Sequence, residues 1–162
     1  MGYTHYYTHT KVEEDVWNKI TKDCQLLIDG AEKEGVFVDG YGVEDKPIVN
    51  DDQVFFNGTD EGFTMEDHKT GEPDNSYETF VMNKSGSDFA FCKTARKPYD
   101  LIVCACLLAY VYHSEDTMDL RSDGFAGANY PTEDEWYAAE KYFNKITGHD
   151  LKVDDLFEKE MI

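Results

Sequence analysis

The chain has no long apolar run and no leader-like start, and both absences exclude classes of protein. Its longest apolar run covers 101–112, which is 12 residues, whereas a membrane-spanning helix needs about 20. The first residues include neither a basic nor an apolar segment, so we expect no secretory signal. The sequence therefore predicts a cytoplasmic protein without a membrane partner.

Cysteine is also sparse. The chain has 4 cysteines, at positions 24, 92, 104 and 106, and no two of them form a Cys-x2-Cys pair. A zinc ribbon or a dithiol redox motif is therefore not expected. Cys104 and Cys106 lie inside the apolar run, where cysteine behaves as a small hydrophobic residue. We predict free, reduced thiols and neither a metal nor another cofactor.

Positively charged residues are also few. The chain carries 15 Lys and Arg against 34 Asp and Glu, a formal net charge of −19. Such a surface repels phosphate backbones and anionic membranes, so direct nucleic-acid binding is disfavoured. The 41% hydrophobic and 14% aromatic content excludes a disordered acidic chain. The length suits one domain, which we predict over 1–162.

Helical patterns are present in several segments. Thr10 to Glu13 has the form of a capping box, and apolar residues then recur at helical spacing, which predicts a helix over 12–33. The run after Pro98 predicts a buried helix over 99–113. A second capping-box pattern over 132–135 starts another helix, for which Gly148 is the expected C-terminal cap. The tail over 153–162 is expected to add a short helix.

Strand-like segments rich in aromatic and β-branched residues separate these helices. They cover 3–10, 36–38, 53–56, 79–82 and 89–92. Turn residues such as Asp-Gly and Asn-Gly lie between them. The order of elements predicts an α+β fold, a single domain in which a mixed or antiparallel sheet packs against two or three helices.

One segment departs from the acidic trend. Over 84–97 four cations face one Asp, a net charge of +3. Lys93, Thr94, Arg96 and Lys97 stand between a predicted strand and the start of the buried helix, where helix amides favour anions. Arg and Lys bind phosphate well, so a pocket for a small phosphorylated ligand is one interpretation. Neutralisation of nearby carboxylates is the other.

The N-terminal strand combines tyrosine and histidine. A period of two places Tyr3, His5, Tyr7 and His9 on one face. His5 and His9 would lie about 13 Å apart, too far to share a metal ion. The face could stack on a nucleobase and donate hydrogen bonds to it. Packing of the same face on the first helix fits the pattern equally well.

Acidic residues are dense over 39–78. One interpretation is a surface that imitates a nucleic-acid backbone and occupies a DNA-binding protein, and the ordinary one is a solvated face. Further along, Asp123 and Gly124 either supply a carboxylate near a pocket or form a simple turn.

Two blocks of sequence resemble a family of small uncharacterised phage and bacterial proteins. They are Met-Gly-Tyr-Thr-His-Tyr at 1–6 and Phe-Cys-Lys-Thr-Ala-Arg-Lys-Pro-Tyr-Asp at 91–100. Asn-Gly at 57–58, Glu-Thr-Phe at 78–80 and Ser-Asp-Gly at 122–124 fit the same pattern. These blocks span most of the chain, and the central one is the most specific.

The chain departs from that pattern at two positions. Trp commonly follows the His-Tyr pair, where this chain has Tyr7, and many relatives have His before Glu-Thr-Phe, where it has Tyr77. The second departure argues against catalysis by a histidine at 77.

By analogy with compact phage proteins, the resemblance implies a counter-defence protein that captures or cleaves a nucleotide immune signal. Cyclic dinucleotides and cyclic ADP-ribose isomers are such signals. A phage-encoded protein of this kind would act in the host cytoplasm. In this role the base would be contacted by Tyr3, His5 and Tyr7, the phosphates by Lys93, Thr94, Arg96 and Lys97, and a ribose hydroxyl by Glu78 or Asp123.

The leading prediction is therefore a protein that binds and sequesters a small phosphorylated nucleotide. One alternative is a metal-independent phosphodiesterase with His5 as general acid or base. The other is an acidic nucleic-acid mimic or protein-interaction inhibitor that uses 39–78. The sequence leaves assembly into a homo-oligomer open.

Overall fold

A computed structural model of the chain describes residues 3–40, 46–59, 75–114, 118–124 and 134–158. Seven strands lie within these ranges: β1 (Thr4–His9), β2 (Val38–Asp39), β3 (Ile48–Val49), β4 (Gln53–Gly58), β5 (Phe80–Asn83), β6 (Ser87–Lys93) and β7 (Met118–Ser122). The helices of the same ranges are α1 (Glu14–Asp29), a 3-10 helix (Ala31–Glu34), α2 (Asp100–Ser114), α3 (Asp134–Thr147) and α4 (Val153–Glu158).

The described strands form two antiparallel sheets. In the first, β1 lies between β6 and β7. Its register places Tyr6 directly opposite Phe91 on β6 and Arg121 on β7, so these three side chains share a face of the sheet. In the second, β4 pairs with β2, β3 and β5.

Helix α2 is the centre of the hydrophobic core. Its residues 102–110 are all 0% exposed, and it packs against both α1 and α3. Cys104 and Cys106 lie in this buried stretch, and all four cysteines of the chain are buried without a disulfide. Among the described helices, none combines the length and the apolar character needed to cross a bilayer.

The α+β fold predicted from the sequence is confirmed, with antiparallel sheets and a buried α2 that begins one residue later than expected. The predicted capping box at Thr10 is wrong. Helix α1 begins at Glu14, and its N-cap Glu13 makes no side-chain capping bond. The reason lies at Val12, whose amide donates to Lys84 O at 2.9 Å, so the chain before α1 is held by the β5–β6 turn.

The other helix ends agree with the sequence where they are described. Gly148 has a φ of +79° and its amide donates to Asn144 O at 3.0 Å, which confirms the C-terminal cap of α3. The first helix is shorter than predicted, because α1 ends at Asp29 and a 3-10 turn follows. The capping residue Thr132, the tail beyond 158 and the acidic stretches 41–45 and 60–74 lie outside the described residues.

Candidate functional site

The tyrosine and histidine face of β1 points into the protein. Tyr3 and Tyr7 are each 2% exposed, His5 is 0% exposed and His9 is 6% exposed. The predicted alternation is correct, but this face is the interior one, because it packs against the helical layer. This burial argues against the base-contacting roles predicted for Tyr3 and His5, and Tyr7, although buried, also lines a groove between β5 and β6.

Tyr7 lies apart from the other predicted site residues. Its hydroxyl donates to Val81 O at 2.5 Å, and its ring packs against Phe80 with centroids 5.8 Å apart. Burial raises the pKa of the Tyr7 phenol, so the hydroxyl remains a neutral donor. Tyr7 therefore links β1 to β5.

His5 is the centre of a buried hydrogen-bond network. Its Nδ1 lies 2.7 Å from Ser122 Oγ, and its Nε2 lies 2.6 Å from Asp100 Oδ1. Ser122 Oγ also accepts from the Gly124 amide at 3.0 Å and from Trp136 Nε1 at 3.1 Å. Because two donors fill its acceptor capacity, the Ser122 hydroxyl donates to His5 Nδ1, and His5 Nε2–H donates to Asp100.

This order, from serine through histidine to aspartate, is the one found in nucleophilic triads. Here it serves structure, because Ser122 is 9% exposed, Asp100 is 4% exposed and His5 is 0% exposed. The Ser122 hydroxyl and the His5 imidazole are therefore both buried. The phosphodiesterase alternative assigned general acid–base catalysis to His5. The imidazole that would perform it is buried.

Asp100 binds more than His5. Its Oδ1 accepts from Thr94 Oγ1 at 2.6 Å, and Cys104 Sγ lies 3.6 Å from its Oδ2. Burial by itself would raise the pKa of Asp100, but the His5 ring and the donated hydrogen bonds outweigh burial and hold that pKa below its ordinary value. The carboxylate is therefore ionised in the folded protein.

We expect the lowered pKa of Asp100 to make folding stability depend on acid pH. Between the folded and the unfolded pKa, only the unfolded chain binds the proton, so the stabilisation is complete above the unfolded pKa of about 3.9 and is lost as pH falls through the folded value. Urea unfolding between about pH 5 and pH 3 should give a steeper loss for the wild type than for Asp100→Asn, by at most about 1.4 kcal/mol per pH unit. Identical slopes would contradict it.

Several predicted site residues meet at this end of the first sheet. Thr94 and Ala95 donate their amides to Tyr3 O at 3.0 and 3.2 Å. Asp123 Oδ2 accepts from the Thr4 amide at 3.0 Å. The sequence blocks at 1–6, 91–100 and 122–124 thus converge in space. Their polar groups mainly form hydrogen bonds with one another.

Glu78 joins the same region from the loop before β5. Its Oε1 accepts from the Lys93 amide at 2.6 Å. Its carbonyl oxygen accepts from Tyr99 Oη at 2.5 Å. The Glu78 carboxylate and the Asp123 carboxylate each therefore bind a backbone amide, where a ribose hydroxyl was predicted.

The turn between β6 and α2 holds the basic residues in an unusual backbone conformation. Ala95 and Arg96 have φ of 51° and 59°, a left-handed geometry that costs non-glycine residues roughly 1 kcal/mol or more each. The Arg96 guanidinium lies 4.4 Å from the Tyr3 ring centroid, and its Nε is 3.3 Å from Glu135 Oε1. Arg96 and Lys97 line a cavity of about 210 Å³ that is also lined by Asp100 and Glu135.

Groups that were predicted to bind an anion at the start of α2 already form hydrogen bonds within the protein. The amides at 100–103 donate to carbonyl oxygens of Lys97, Pro98 and Tyr99, and the Thr94 hydroxyl is committed to Asp100. The amides at 100–103 are therefore already used within the protein. The charged side chain of Arg96 remains accessible, because it is 52% exposed.

The opposite face of the first sheet is open to solvent and aromatic. Phe89 is 62% exposed and Phe91 is 52% exposed, with ring centroids 5.7 Å apart. Tyr6 lies 6.3 Å from the Phe89 ring. We call Tyr6, Phe89, Phe91, Lys93 and Arg121 the aromatic sheet face. Its sequence signal was the alternation Phe-x-Phe-x-Lys at 89–93, which was interpreted only as a strand.

A groove runs beside the aromatic sheet face, between β5 and β6. It encloses about 250 Å³ and is lined by aromatic rings together with polar side chains. Those polar groups include Thr79, Asn83 and Ser87. At the far end of β6, Lys93 Nζ lies 5.4 Å from the Tyr77 ring centroid. Aromatic surface, hydrogen-bonding groups and a cation are therefore adjacent along one strand.

Comparisons of the chain with protein-family models, with curated proteins and with solved structures find no match.

Proposed function

We propose that the protein binds a small phosphorylated nucleotide and holds it intact, with the base on the aromatic sheet face. The observation that carries this proposal is the pair Phe89 and Phe91, each more than half exposed, beside a groove with polar walls. Exposed aromatic rings on a sheet stack on nucleobases with a gain of about 1–3 kcal/mol per base. The same rings left bare would be costly apolar surface.

Phosphate groups of the ligand would be bound by cations next to these rings. Lys93 follows Phe91 by two residues on the same face, about 7 Å along the strand. Arg121 is on β7, where it pairs with Tyr6 of β1. Its side chain is 60% exposed. Arg96 and Lys97, in the turn after β6, are candidates for a further phosphate group.

The overall charge restricts the ligand to a small one. With a net charge of −19 the protein repels a long polyanion, but a compact nucleotide responds mainly to charges within about 8 Å at physiological salt. The burial of His5 favours sequestration over cleavage, because the acid–base candidate is 0% exposed. Together with the resemblance to phage proteins, this supports capture of a nucleotide immune signal in a host cytoplasm.

We expect Phe91→Ala and Lys93→Ala each to weaken nucleotide binding by about 5- to 150-fold, the equivalent of about 1–3 kcal/mol. Calorimetric titration would use cyclic di-AMP, cyclic di-GMP, cyclic ADP-ribose and ADP as probes. Phe91→Tyr keeps the ring and should bind as the wild type does. Leu26→Ala is the matched control, because Leu26 is an exposed apolar residue, 41% exposed, on α1.

The outcomes separate the alternatives. Failure of all four probes to bind, or equal binding by Phe91→Ala, contradicts the proposed site. Recovery of cleaved nucleotide after denaturation contradicts sequestration and favours the phosphodiesterase. A wild-type mass that is dimeric and becomes monomeric in Phe91→Ala assigns the face to a homo-oligomer.

A further inference from the structure

Three helices bring an aspartate and two histidines together away from the aromatic sheet face. Asp23 lies on α1, His113 lies in the last turn of α2, and His149 follows the Gly148 cap of α3. The ligand atoms of these residues all lie within 4.8 Å of one another. No part of this trio was predicted, because His113 and His149 lie 90 and 126 residues from Asp23 in the sequence.

Both imidazoles present the same atom to the same carboxylate oxygen. His113 Nε2 is 2.5 Å and His149 Nε2 is 3.0 Å from Asp23 Oδ2. Ligand atoms about 2.0–2.1 Å from a tetrahedral Zn²⁺ stand roughly 3.3 Å apart. Binding would widen the Asp23–His113 separation by about 0.8 Å and the Asp23–His149 separation by about 0.3 Å.

The rings are fixed by their neighbours. Tyr112 and Phe143 both pack against the His149 ring, with centroid distances of 4.6 and 5.5 Å and interplanar angles of 29° and 30°. The His113 ring meets His149 edge-on at 5.3 Å. Such packing holds the imidazole nitrogens on Asp23, and preorganised ligands lose little entropy when an ion binds.

The backbone that carries His149 is held as well. Asn144 donates from Nδ2 to Leu151 O and accepts from the Leu151 amide at its Oδ1, each at 2.8 Å. The His149 amide donates to Thr147 Oγ1 at 3.2 Å. The segment after α3 is therefore closed into a defined loop that presents His149 toward α1 and α2.

Charge and exposure favour a cation at this point. The Asp23 side chain is 7% exposed and that of His113 is 11%, but that of His149 is 29% exposed, so the trio is reachable from one side. The C-terminal end of α2 carries the negative end of its dipole next to His113. Two imidazoles and one carboxylate are a donor set for first-row divalent metals, with room for a further ligand on the open side.

We propose that Asp23, His113 and His149 form a binding site for a divalent transition-metal ion of the Zn²⁺ class. Among the described residues, the other trio of ligand types, His5, Asp100 and Cys104, is a poorer candidate. All three of its members are buried, so it lacks the exposed side that His149 gives the first trio. Burial and the Asp100 charge raise the pKa of the Cys104 thiol, so it stays protonated and binds metal weakly.

We expect chelator-treated, untagged protein to bind Zn²⁺ at one ion per chain in a calorimetric titration, and Zn²⁺ to raise its melting temperature. Loss of an outer-shell partner weakens metal sites about 10- to 100-fold, so His149→Ala, which removes a ligand, should weaken binding by at least about 100-fold. Asp150→Asn is the matched control, because it removes an exposed neighbouring charge and should change affinity by less than about twofold.

Co²⁺ provides a second readout that does not depend on how well a variant folds. Co²⁺ in the wild-type protein should give ligand-field bands of a nitrogen and oxygen site without a thiolate charge-transfer band. Absence of Zn²⁺ binding in the wild type, binding by His149→Ala equal to the wild type, or a thiolate band from Cys104 would each overturn the proposal. Since the aromatic sheet face contains none of these residues, the two proposals fail independently.

Discussion

Asp100→Ala is expected to lower the free energy of unfolding by about 2–6 kcal/mol, because it removes the shared acceptor of two buried donors and leaving each buried donor unsatisfied costs about 1–3 kcal/mol. His5 Nε2 and Thr94 Oγ1 both donate to Asp100 Oδ1 at 2.6 Å. After truncation neither donor has an acceptor, and both are 0% exposed, so no water compensates them. Urea unfolding followed by circular dichroism measures the loss.

Two further variants make the result interpretable. Asp119→Ala removes a carboxylate whose side chain is 52% exposed, and we expect a change of about 0.5 kcal/mol or less. Asp100→Asn keeps one acceptor oxygen, so its cost should fall between those of the two alanine variants. An Asp100→Ala protein as stable as Asp119→Ala would show that the network contributes nothing net to folding.

The network explains why three separate blocks of the sequence meet at one place. His5 comes from the opening block, Asp100 from the central one, and Ser122 from the Ser-Asp-Gly block. Their mutual hydrogen bonds fix β1 and β7 against the start of α2. These three residues therefore have a structural role, and accessible chemistry has to be sought beside them.

The sequence predicted most of the elements because their signals are local, but it did not predict β3 or β7. The buried helix α2 and the Gly148 cap follow from composition and turn chemistry alone. The choice of face on β1 does not, since His5 and Tyr6 belong to neighbouring positions of comparable polarity, and only tertiary packing decides which is buried. Both faces of β1 carry aromatic rings. The alternation therefore identifies two faces but does not predict which of them is buried.

The candidate sites were predicted only in part for the same reason. Lys93 and Arg96 were identified from charge along the chain, but the structure separates them between the aromatic sheet face and the α2 turn. Asp23 and His149 have no sequence feature that links them, because their contact depends on how α1 and α3 pack around α2. Local patterns report the strand or helix, and long-range packing assembles the site.

Trp136→Ala is expected to lower the free energy of unfolding by about 3–5 kcal/mol, the usual cost of deleting a large buried aromatic side chain. Trp136 is 0% exposed, lies edge-on to the His5 ring at 5.3 Å, and donates from Nε1 to Ser122 Oγ at 3.1 Å. Trp136→Phe retains most of the ring contact and loses the donor, so its cost should be nearer 1 kcal/mol.

A double-mutant cycle shows whether Trp136 acts through the network or through packing alone. If its indole N–H is coupled to Ser122, Trp136→Phe combined with Ser122→Ala should show a coupling of about 0.5–1.5 kcal/mol. Trp17 is the matched control, since it is equally buried and donates from Nε1 to Asn50 O at 2.9 Å. Trp17→Phe with Ser122→Ala should be additive within about 0.5 kcal/mol. Additivity in the Trp136 cycle would mean that α3 stabilises this end of the sheet by apolar contact, and that the His5 hydrogen bonds form without its help.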